Sequence, residues 1–197
     1  GTFGDIGTFS FFANKTITTG EAGMCVTNDK KIEKKLRIIR DHGMDPKKKY
    51  WHIEKGFNHR LTNIQATIGI DQLNMINKIT KIRKENFNYY LKLLKNKDYF
   101  YKIDYLNNCE PIMWYFPFTL PKKYKKYKKK LFLFLNKKRI ETRDFFYPLD
   151  QMKIFSNKSY CINSRNISLS SFYLPIYAGL SKKNIKFICK TINNFFI

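Results

Sequence analysis

The chain has 197 residues, of which 43% are hydrophobic, and its 38 basic and 15 acidic side chains give a formal charge of +23. This apolar content is enough for a real core in one domain or in parts of two. No run of about 18 uninterrupted apolar residues occurs, so we expect no membrane span. The first residues lack the basic and apolar regions of a signal peptide, and the four cysteines show no CxxC spacing. We therefore expect a cytoplasmic protein without a metal site or a disulfide framework.

The excess of positive charge has two explanations. Lys, Asn, Ile, Phe and Tyr are abundant together, as AT-rich codons would produce, and nucleic-acid binding does not require Asn or Ile. The segment "KKYKKYKKKLFLFLNKK" (122–138) instead has the interleaved basic and aromatic residues of a nucleic-acid surface. We favour codon composition and expect no nucleic-acid partner, although a positive field attracts phosphorylated ligands.

The first third of the chain predicts two strands, a helix and a loop. Residues 3–12 alternate small and aromatic side chains, and residues 23–29 read as a second short strand. Asp29 can cap the helix that follows, whose apolar residues have helical spacing and which Gly43 can end. Residues 44–60, "MDPKKKYWHIEKGFNHR", predict a loop, and loops of this length are usually functional or mobile.

The remainder predicts a helical stretch and then a small α+β arrangement. An apolar stripe over 61–96 indicates one helix ending near residues 69–73 and a second helix running to about Lys95. The character of the sequence changes beyond this stripe, so we place a domain boundary between residues 82 and 83. The further elements expected are strands at 99–104, 111–120 and 139–146 and helices at 122–137 and 183–196.

One lysine has surroundings unlike those of the others. Lys15 follows Phe9, Phe11 and Phe12 and precedes "TITTG", which has no charge before Glu21. An ammonium group against apolar surface is poorly solvated, which favours the neutral amine that can attack a carbonyl. A lysine at a strand end that extends its amine to solvent is the commoner explanation of such a sequence. The local residues alone therefore leave the role of Lys15 open.

Several long segments together resemble one enzyme family. They are "GDIGTFSFFANKTITTGEAG" (4–23), "RDHGMDPKKKYWHIEKGFNHRLTNIQATIGIDQL" (40–73), "RIETRDFFYPLDQM" (139–152) and "SLSSFYLPIYAGLSKKNIKFIC" (168–189). These segments are similar to the DegT/DnrJ/EryC1/StrS family of pyridoxal-phosphate sugar aminotransferases. The part "HGMDPKKKYWH" is most similar to the branch of the family that acts on GDP-linked sugars.

The resemblance implies an α/β protein, the C-terminal half of a fold type I aminotransferase. Residues 1–82 would form the C-terminal part of the large domain that binds the cofactor, and residues 83–197 a small α+β domain. The half that is not matched carries the turn for the cofactor phosphate, a stacking aromatic residue and the acidic partner of the pyridine nitrogen. We therefore expect a fragment of a longer product that is inactive by itself.

The resemblance also implies roles for individual residues. Lys15 matches the lysine that binds pyridoxal 5'-phosphate covalently and moves a proton during the reaction. Ser10 matches a serine that binds the cofactor phosphate, and Asn58 matches an asparagine that reaches the phosphate of the neighbouring subunit. An active site shared across a homodimer follows from this last match. The weaker candidates for contact with the substrate are Arg60, His52 and Tyr147.

The implied reaction transfers an amino group from L-glutamate to a nucleotide-linked 4-keto-6-deoxy sugar, for use in polysaccharides such as O-antigen. Three alternatives stay open. Some relatives dehydrate the sugar and have histidine at the lysine position, which Lys15 argues against. A non-catalytic remnant and a basic nucleic-acid-binding module are the others. The family's "GEGG" reads "GEAG" here, so we expect Ala22 to occupy a turn that glycine adopts more easily.

Overall fold

The structure, a computed structural model, describes residues 1, 3–102, 109–155 and 160–197. Its contacts divide the chain into two compact units, residues 1–77 (unit 1) and residues 78–197 (unit 2). The division lies in the first turn of a long helix, five residues before the boundary placed from the sequence. Each unit has its own secondary structure and is described by itself.

Unit 1 begins with a two-stranded antiparallel hairpin. Strand β1 (Gly7–Ser10) pairs with β2 (Gly23–Val26), and Ser10 lies opposite Gly23 at the end of the pairing. Most side chains of both strands are exposed, so both faces of the hairpin are largely open in unit 1. The two strands agree with the sequence-based expectation, and Lys15 lies in the loop that joins them.

Helix α1 (Lys30–Arg40) follows β2 and begins as predicted. The Asp29 carboxylate accepts hydrogen bonds from the backbone N–H groups of Lys31 and Ile32 at 2.6 and 3.2 Å. These bonds satisfy two of the unpaired donors of the first turn. Gly43, with a φ of 70°, lies just beyond the end of the helix and donates back to one of its carbonyls.

The segment predicted as a loop over 44–60 contains a short hairpin, so this part of the prediction was wrong. Strand β3 (Met44–Asp45) pairs with β4 (Lys48–His52) in an antiparallel, irregular register. Strand β4 is exposed along its whole length and has Tyr50 at a φ of 63°. A lysine-rich segment with a left-handed residue does not show the alternation by which strands are recognised in a sequence.

Two consecutive helices follow the hairpin. Helix α2 (Asn63–Asn74) begins with a capping box formed by Thr62 and Gln65. Helix α3 (Ile76–Leu94) follows after a single residue. Both helices agree with the elements predicted from the apolar stripe.

Unit 2 is built on a three-stranded antiparallel sheet with the order β5–β7–β6. The central strand β7 (Ser171–Leu174) is buried along its whole length. It pairs with β5 (Phe116–Thr119) on one side and with β6 (Arg143–Asp144) on the other. The sheet is therefore short, and its middle strand contributes directly to the core.

The predicted strands of this region agree with the sheet in part. Strand β5 lies inside the segment predicted at 111–120, whereas the strand predicted at 139–146 is reduced to the two residues of β6. The strand predicted at 99–104 lies partly outside the described residues. Within its described part, Tyr101 forms an isolated bridge to Thr119.

Three further helices complete unit 2. Helix α4 (Lys128–Lys137) continues from a 3-10 helix (Lys122–Tyr127), and α6 (Lys182–Phe196) is amphipathic and capped by Ser181. Both agree with the predicted helices. Helix α5 (Ile162–Ser170) was not predicted, because its serine and asparagine residues favour caps and turns over helix interiors. Within the described residues, every helix is too short or too polar to span a bilayer.

The hydrophobic core lies in unit 2. Of the 21 buried hydrophobic side chains in the described chain, 20 belong to unit 2, and Ile38 alone belongs to unit 1. The ring of Phe116 lies 4.5 Å from that of Tyr90 and 4.9 Å from that of Phe87, measured between centroids. Unit 2 thus has a core of its own, whereas the large apolar side chains of unit 1 are mostly exposed.

Buried polar side chains connect this core to the surrounding loops. The Tyr90 hydroxyl donates to the Pro175 carbonyl at 3.0 Å, and burial raises the pKa of this phenol. The Asn86 amide donates to the Leu180 carbonyl at 3.0 Å. Because a buried donor without a partner is destabilising, these bonds fix the loop between β7 and α6 against α3.

Two leucines of α4 test the position of the core. Leu135 is 0% exposed and Leu133 is 53% exposed. We expect Leu135→Ala to lower the free energy of unfolding by about 2–5 kcal/mol, because it leaves a cavity. The control Leu133→Ala should change it by less than about 0.5 kcal/mol. Urea unfolding followed by circular dichroism measures both values, and equal losses would contradict this packing.

The four cysteines differ in their access to solvent. Cys25, Cys109 and Cys161 are exposed, whereas Cys189 is buried in α6, and burial raises the pKa of its thiol to about 12. Because the thiolate is the reactive form, we expect brief alkylation of the native chain to modify the three exposed cysteines. Cys189 should react after denaturation. Peptide mass spectrometry measures the modified sites, and rapid labelling of native Cys189 would argue against the fold of unit 2.

Candidate active site

The loop that carries Lys15 is closed at its base by backbone hydrogen bonds. The Phe11 N–H donates to the Ala22 carbonyl at 2.9 Å, and the Phe11 carbonyl accepts from the Thr19 N–H at 3.0 Å. The same carbonyl accepts from the Thr18 hydroxyl at 3.0 Å. These bonds hold the two ends of the loop together where the β1–β2 ladder stops. Lys15 lies half-buried within the closed loop.

A turn fixes the backbone at the lysine itself. The Lys15 N–H donates to the Phe12 carbonyl at 2.9 Å. Lys15 therefore projects from a tight turn and not from a strand. A long side chain on a fixed backbone can move its amine over several ångströms while its attachment point stays in place.

Gly20 is the position in this loop whose backbone conformation favours glycine. Gly20 has a φ of 84°, a left-handed conformation that glycine adopts without strain. Its amide donates to the Thr18 hydroxyl oxygen at 2.9 Å. Ala22 is not among the described residues with positive φ. The expectation that Ala22 occupies a turn suited to glycine was therefore wrong.

Ser10 lies at the start of the same loop. It is the last residue of β1, it is exposed, and its Oγ accepts a hydrogen bond from the Phe12 N–H at 3.4 Å. A hydroxyl that accepts one hydrogen bond can still donate its own proton to an anion. The chain thus places a hydroxyl donor at the beginning of the loop that carries Lys15.

The segment that carries Asn58 runs along the C-terminal end of α1. The Phe57 N–H donates to the Ile39 carbonyl at 2.8 Å, and the His59 N–H donates to the Arg40 carbonyl at 3.0 Å. These bonds satisfy carbonyls that a helix end leaves unpaired. The rings of Phe57 and His59 stack with centroids 5.1 Å apart. Because side chains alternate along an extended segment, Asn58 points away from this stack.

Two glycines allow this segment to approach α1 closely. A Cβ atom on Gly43 would lie 1.9 Å from the Glu54 carbonyl oxygen, and one on Gly56 would lie 2.0 Å from the Gly43 nitrogen. Both contacts involve backbone atoms, which cannot rotate away as a side chain can. Gly43 was predicted from the sequence as a helix stop, whereas the close approach at Gly56 was not predicted. An isolated glycine in a polar loop is a signal for such a close approach.

Arg60 and His52 have structural partners within unit 1. The Arg60 Nη1 atom lies 3.3 Å from the Asp41 Oδ1 atom, and both side chains are substantially exposed. Ion pairs of this kind contribute about 0–1 kcal/mol. The His52 ring lies with Nδ1 2.9 Å from the His42 carbonyl oxygen, and we assign Nδ1–H as the donor. In the described ranges, His, Cys, Asp and Glu form no group of three or more that could hold a metal ion.

Gln65 connects the lysine loop to α2, a contact that the sequence analysis missed. Its Nε2 group donates to the Glu21 carbonyl at 2.8 Å, and its Oε1 atom accepts from the Thr62 N–H at 3.2 Å. The start of α2 is therefore attached to the end of the loop that follows Lys15. The spacing of Thr62 and Gln65 in "TNIQ" was the available signal, because it is that of a capping box.

A groove of about 1070 Å³ lies within unit 1. Asn58 and Arg60 line it, whereas Ser10 and Lys15 are not among its lining residues. The structure thus places Ser10 and Lys15 at the lysine loop, Asn58 and Arg60 along this groove, and His52 in neither group. The larger apolar side chains of the groove are Phe9, Met24, Val26, Leu36, Ile39 and Leu61.

The remaining candidate, Tyr147, lies in unit 2 beyond β6. Its side chain is 68% exposed. The neighbouring Phe146 ring packs edge-on against Tyr173 with centroids 5.8 Å apart, and the Arg143 guanidinium lies 5.3 Å from its centre. Tyr147 is therefore an exposed ring next to Phe146, whose ring packs against Tyr173.

Comparison with known proteins identifies the family. The model of the DegT/DnrJ/EryC1/StrS aminotransferase family matches residues 1–193. The chain belongs to this family. It is 36% identical to the GDP-perosamine synthase of Escherichia coli O157:H7 and 34% identical to that of Vibrio cholerae, in both cases over 100% of the chain. The chain spans 53% and 54% of these two relatives.

A solved structure also matches the fold. It is that of Helicobacter pylori PseC, an aminotransferase involved in the biosynthesis of pseudoaminic acid, and it superposes with a TM-score of 0.90 at 27% identity. The match covers 98% of this chain and 54% of PseC. The family and the α/β fold expected from the sequence are thus confirmed, and the roles of Lys15, Ser10 and Asn58 stay predictions.

The close contact between Gly43 and Glu54 can be tested by comparing alanine variants of Gly43 and Gly20. Gly20 has a left-handed backbone but no close neighbour. We expect Gly20→Ala to introduce about 1–2 kcal/mol of backbone strain without a clash, because no atom lies within 4 Å of the added Cβ. Gly43→Ala adds a collision with Glu54, so the amides of Phe57 and His59 should lose protection from hydrogen exchange. Exchange mass spectrometry of peptides over 54–60 compares the two variants. Equal protection in both would contradict the close approach.

Proposed function

We propose that this chain is the lysine-bearing half of a pyridoxal-phosphate-dependent aminotransferase. It transfers an amino group from L-glutamate to a nucleotide-linked 4-keto-6-deoxy sugar. The observation that carries the proposal is Lys15 on a loop closed at its base, in a chain of this aminotransferase family. Similarity to two GDP-perosamine synthases favours a GDP-linked substrate and a 4-amino sugar product destined for surface polysaccharide.

The residues present suit pyridoxal 5'-phosphate. The Lys15 amine is the partner that its aldehyde requires, and the Ser10 hydroxyl and the Asn58 amide are donors of the kind that bind phosphate. When bound, the cofactor supplies an electron-withdrawing ring that stabilises negative charge on the substrate carbon. The chain supplies the attachment point, the phosphate donors and the group that moves the proton.

Lys15 has two tasks in this proposal. It binds the cofactor, and its Nζ atom accepts and returns the proton that moves during amino transfer. The hydrogen bonds of Phe11 and the turn at Phe12 support both tasks, because they fix the backbone from which the amine extends. Ser10 at the start of the loop then orients the phosphate.

Asn58 acts across a homodimer in this proposal. Its neighbours Phe57 and His59 hold the backbone on the end of α1, and its side chain is exposed. A residue held in this way can reach outward from its own subunit. The proposed enzyme is therefore a dimer in which each active site uses residues of both chains, with Arg60, His52 and Tyr147 as candidates for substrate contact.

The rest of the large domain completes the site. Among its described residues, unit 1 has one buried hydrophobic side chain, and its large apolar side chains are mostly exposed. The chain also spans about half the length of the curated relatives it matches. An exposed apolar surface of this kind is typical of an interface. We place the remainder of the fold against these exposed apolar side chains, so that activity requires both halves.

The exposed cysteines support a cytoplasmic setting. Cys25 and Cys161 are exposed and have no disulfide partner within the part of the chain that the structure describes. Exposed thiols persist in reducing compartments and oxidise in secreted proteins. A cytoplasmic location is therefore part of the proposed function.

The test of the function is a Lys15 variant in a complete fold. A fusion protein is made by placing the part of the E. coli relative that this chain does not cover before residue 1. The fusion protein is then loaded with pyridoxal 5'-phosphate and reduced with borohydride. We expect the reduced label on the peptide that contains Lys15. Lys15→Arg should abolish this label and lower amino transfer to a GDP-linked keto sugar by at least about 1000-fold.

Lys34→Arg is the matched control, because Lys34 is an exposed lysine on α1. This control should keep both the label and the activity. A label spread over many lysines without preference for Lys15 would overturn the proposal. A label on Lys15 without amino transfer would retain the cofactor role and refute the aminotransferase activity.

A further inference from the structure

The positive charge is concentrated in one of the two units. Unit 2 has 26 Lys and Arg residues against seven Asp and Glu, a net charge of +19, whereas unit 1 has 12 against eight, a net charge of +4. Codon composition acts on the whole gene and does not explain this difference by itself. The densest part is residues 122–139, with ten basic residues and no acidic one.

Several lysines of this segment are exposed on the 3-10 helix and on α4. Lys122, Lys126, Lys129 and Lys130 are exposed. Among the described residues, the ion pairs of 122–130 are those of Lys123 with Asp98 and of Lys128 with Asp144. Lys128 also donates to the Ser168 carbonyl at 3.0 Å, so it belongs to the structure of unit 2. We call Lys122, Lys126, Lys129 and Lys130, which are exposed and lie outside these two ion pairs, the basic surface.

The aromatic residues between these lysines face the interior of unit 2. The Tyr124 ring packs edge-on against Phe196 with centroids 5.4 Å apart, and the Tyr127 ring meets the same residue at 6.3 Å. Both rings are half-buried. Single-stranded nucleic acid binds by stacking its bases on exposed aromatic rings. The basic surface therefore offers charge without a stacking platform.

An exposed leucine lies within the basic surface. Leu133 is 53% exposed, one turn from Lys129 and Lys130 and one turn from Lys137 on α4. Leu131 and Leu135 of the same helix are buried. An outward apolar side chain flanked by lysines has no partner on a phosphate backbone. Such a side chain can enter the boundary between lipid headgroups and acyl chains while the lysines beside it contact the headgroups.

We propose that the basic surface of unit 2 binds an anionic lipid bilayer peripherally. Lys122, Lys126, Lys129 and Lys130 lie toward the headgroups, and Leu133 inserts at the boundary with the acyl chains. Each lysine near an anionic leaflet contributes a factor of about five to membrane partitioning. This proposal does not depend on the aminotransferase function, because none of these residues belongs to the proposed site.

The test is sedimentation of the full chain with lipid vesicles. We expect binding to vesicles with one third phosphatidylglycerol, little binding to pure phosphatidylcholine, and weaker binding at high salt. Changing the four lysines of the basic surface to glutamine should lower partitioning by at least about 100-fold. Changing Lys78, Lys81, Lys92 and Lys95 of the α3 region, which are also exposed, removes the same charge and should have a much smaller effect.

Leu133→Gln separates a lipid surface from a nucleic-acid surface. It leaves the charge unchanged and should lower vesicle binding several-fold, because it removes the apolar contact. Fluorescence anisotropy with short duplex and single-stranded DNA gives the competing measurement. Equal vesicle binding by the two quadruple variants would refute the proposal. Tight DNA binding that Leu133→Gln leaves unchanged, together with no vesicle binding, would assign the surface to nucleic acid.

Discussion

The hydrogen bonds of Phe11 are the constraint on which the candidate site depends. Its N–H and carbonyl bond to Ala22 and Thr19 at the point where β1 and β2 separate. The ends of the loop therefore cannot drift apart, and the turn at Lys15 has a fixed origin. In the proposed function Lys15 binds a cofactor and moves a proton, and a rigid attachment point suits both tasks.

The two units obtain their order in different ways. Among the described residues, unit 2 buries 20 hydrophobic side chains, and the burial of Phe116 and its neighbours is sufficient to organise a domain. The described part of unit 1 buries one, and its order rests on backbone contacts such as the pairing of Phe57 and His59 with the end of α1. Backbone contacts alone are weak in water. In the proposed complete enzyme, the rest of the large domain supplies the apolar partners for the exposed side chains of unit 1.

The sequence could predict the elements that depend on local patterns. Asp29 caps α1 and an amphipathic stripe forms α6, because caps and periodicity are read within a few residues. The hairpin of β3 and β4 could not be predicted in this way, since Lys47 to Lys49 and a left-handed Tyr50 show no alternation. The close approach of Gly43 and Gly56 depends on two segments meeting in space. Such long-range contacts leave no local pattern in the sequence. The overall fold was predicted instead from the resemblance of whole segments to a known family.

Gly20, Gly43 and Gly56 argue against the alternative that this chain is a non-catalytic remnant. Gly20 occupies a left-handed turn in the lysine loop, and Gly43 and Gly56 meet where any side chain would collide with backbone. A chain that has lost its function is free to accept alanine or larger residues at such positions, because most substitutions are destabilising and nothing then removes them. All three glycines lie beside the proposed site and not in the core of unit 2. Together with an amine in place of histidine at residue 15, they favour a chain that still forms an aminotransferase site.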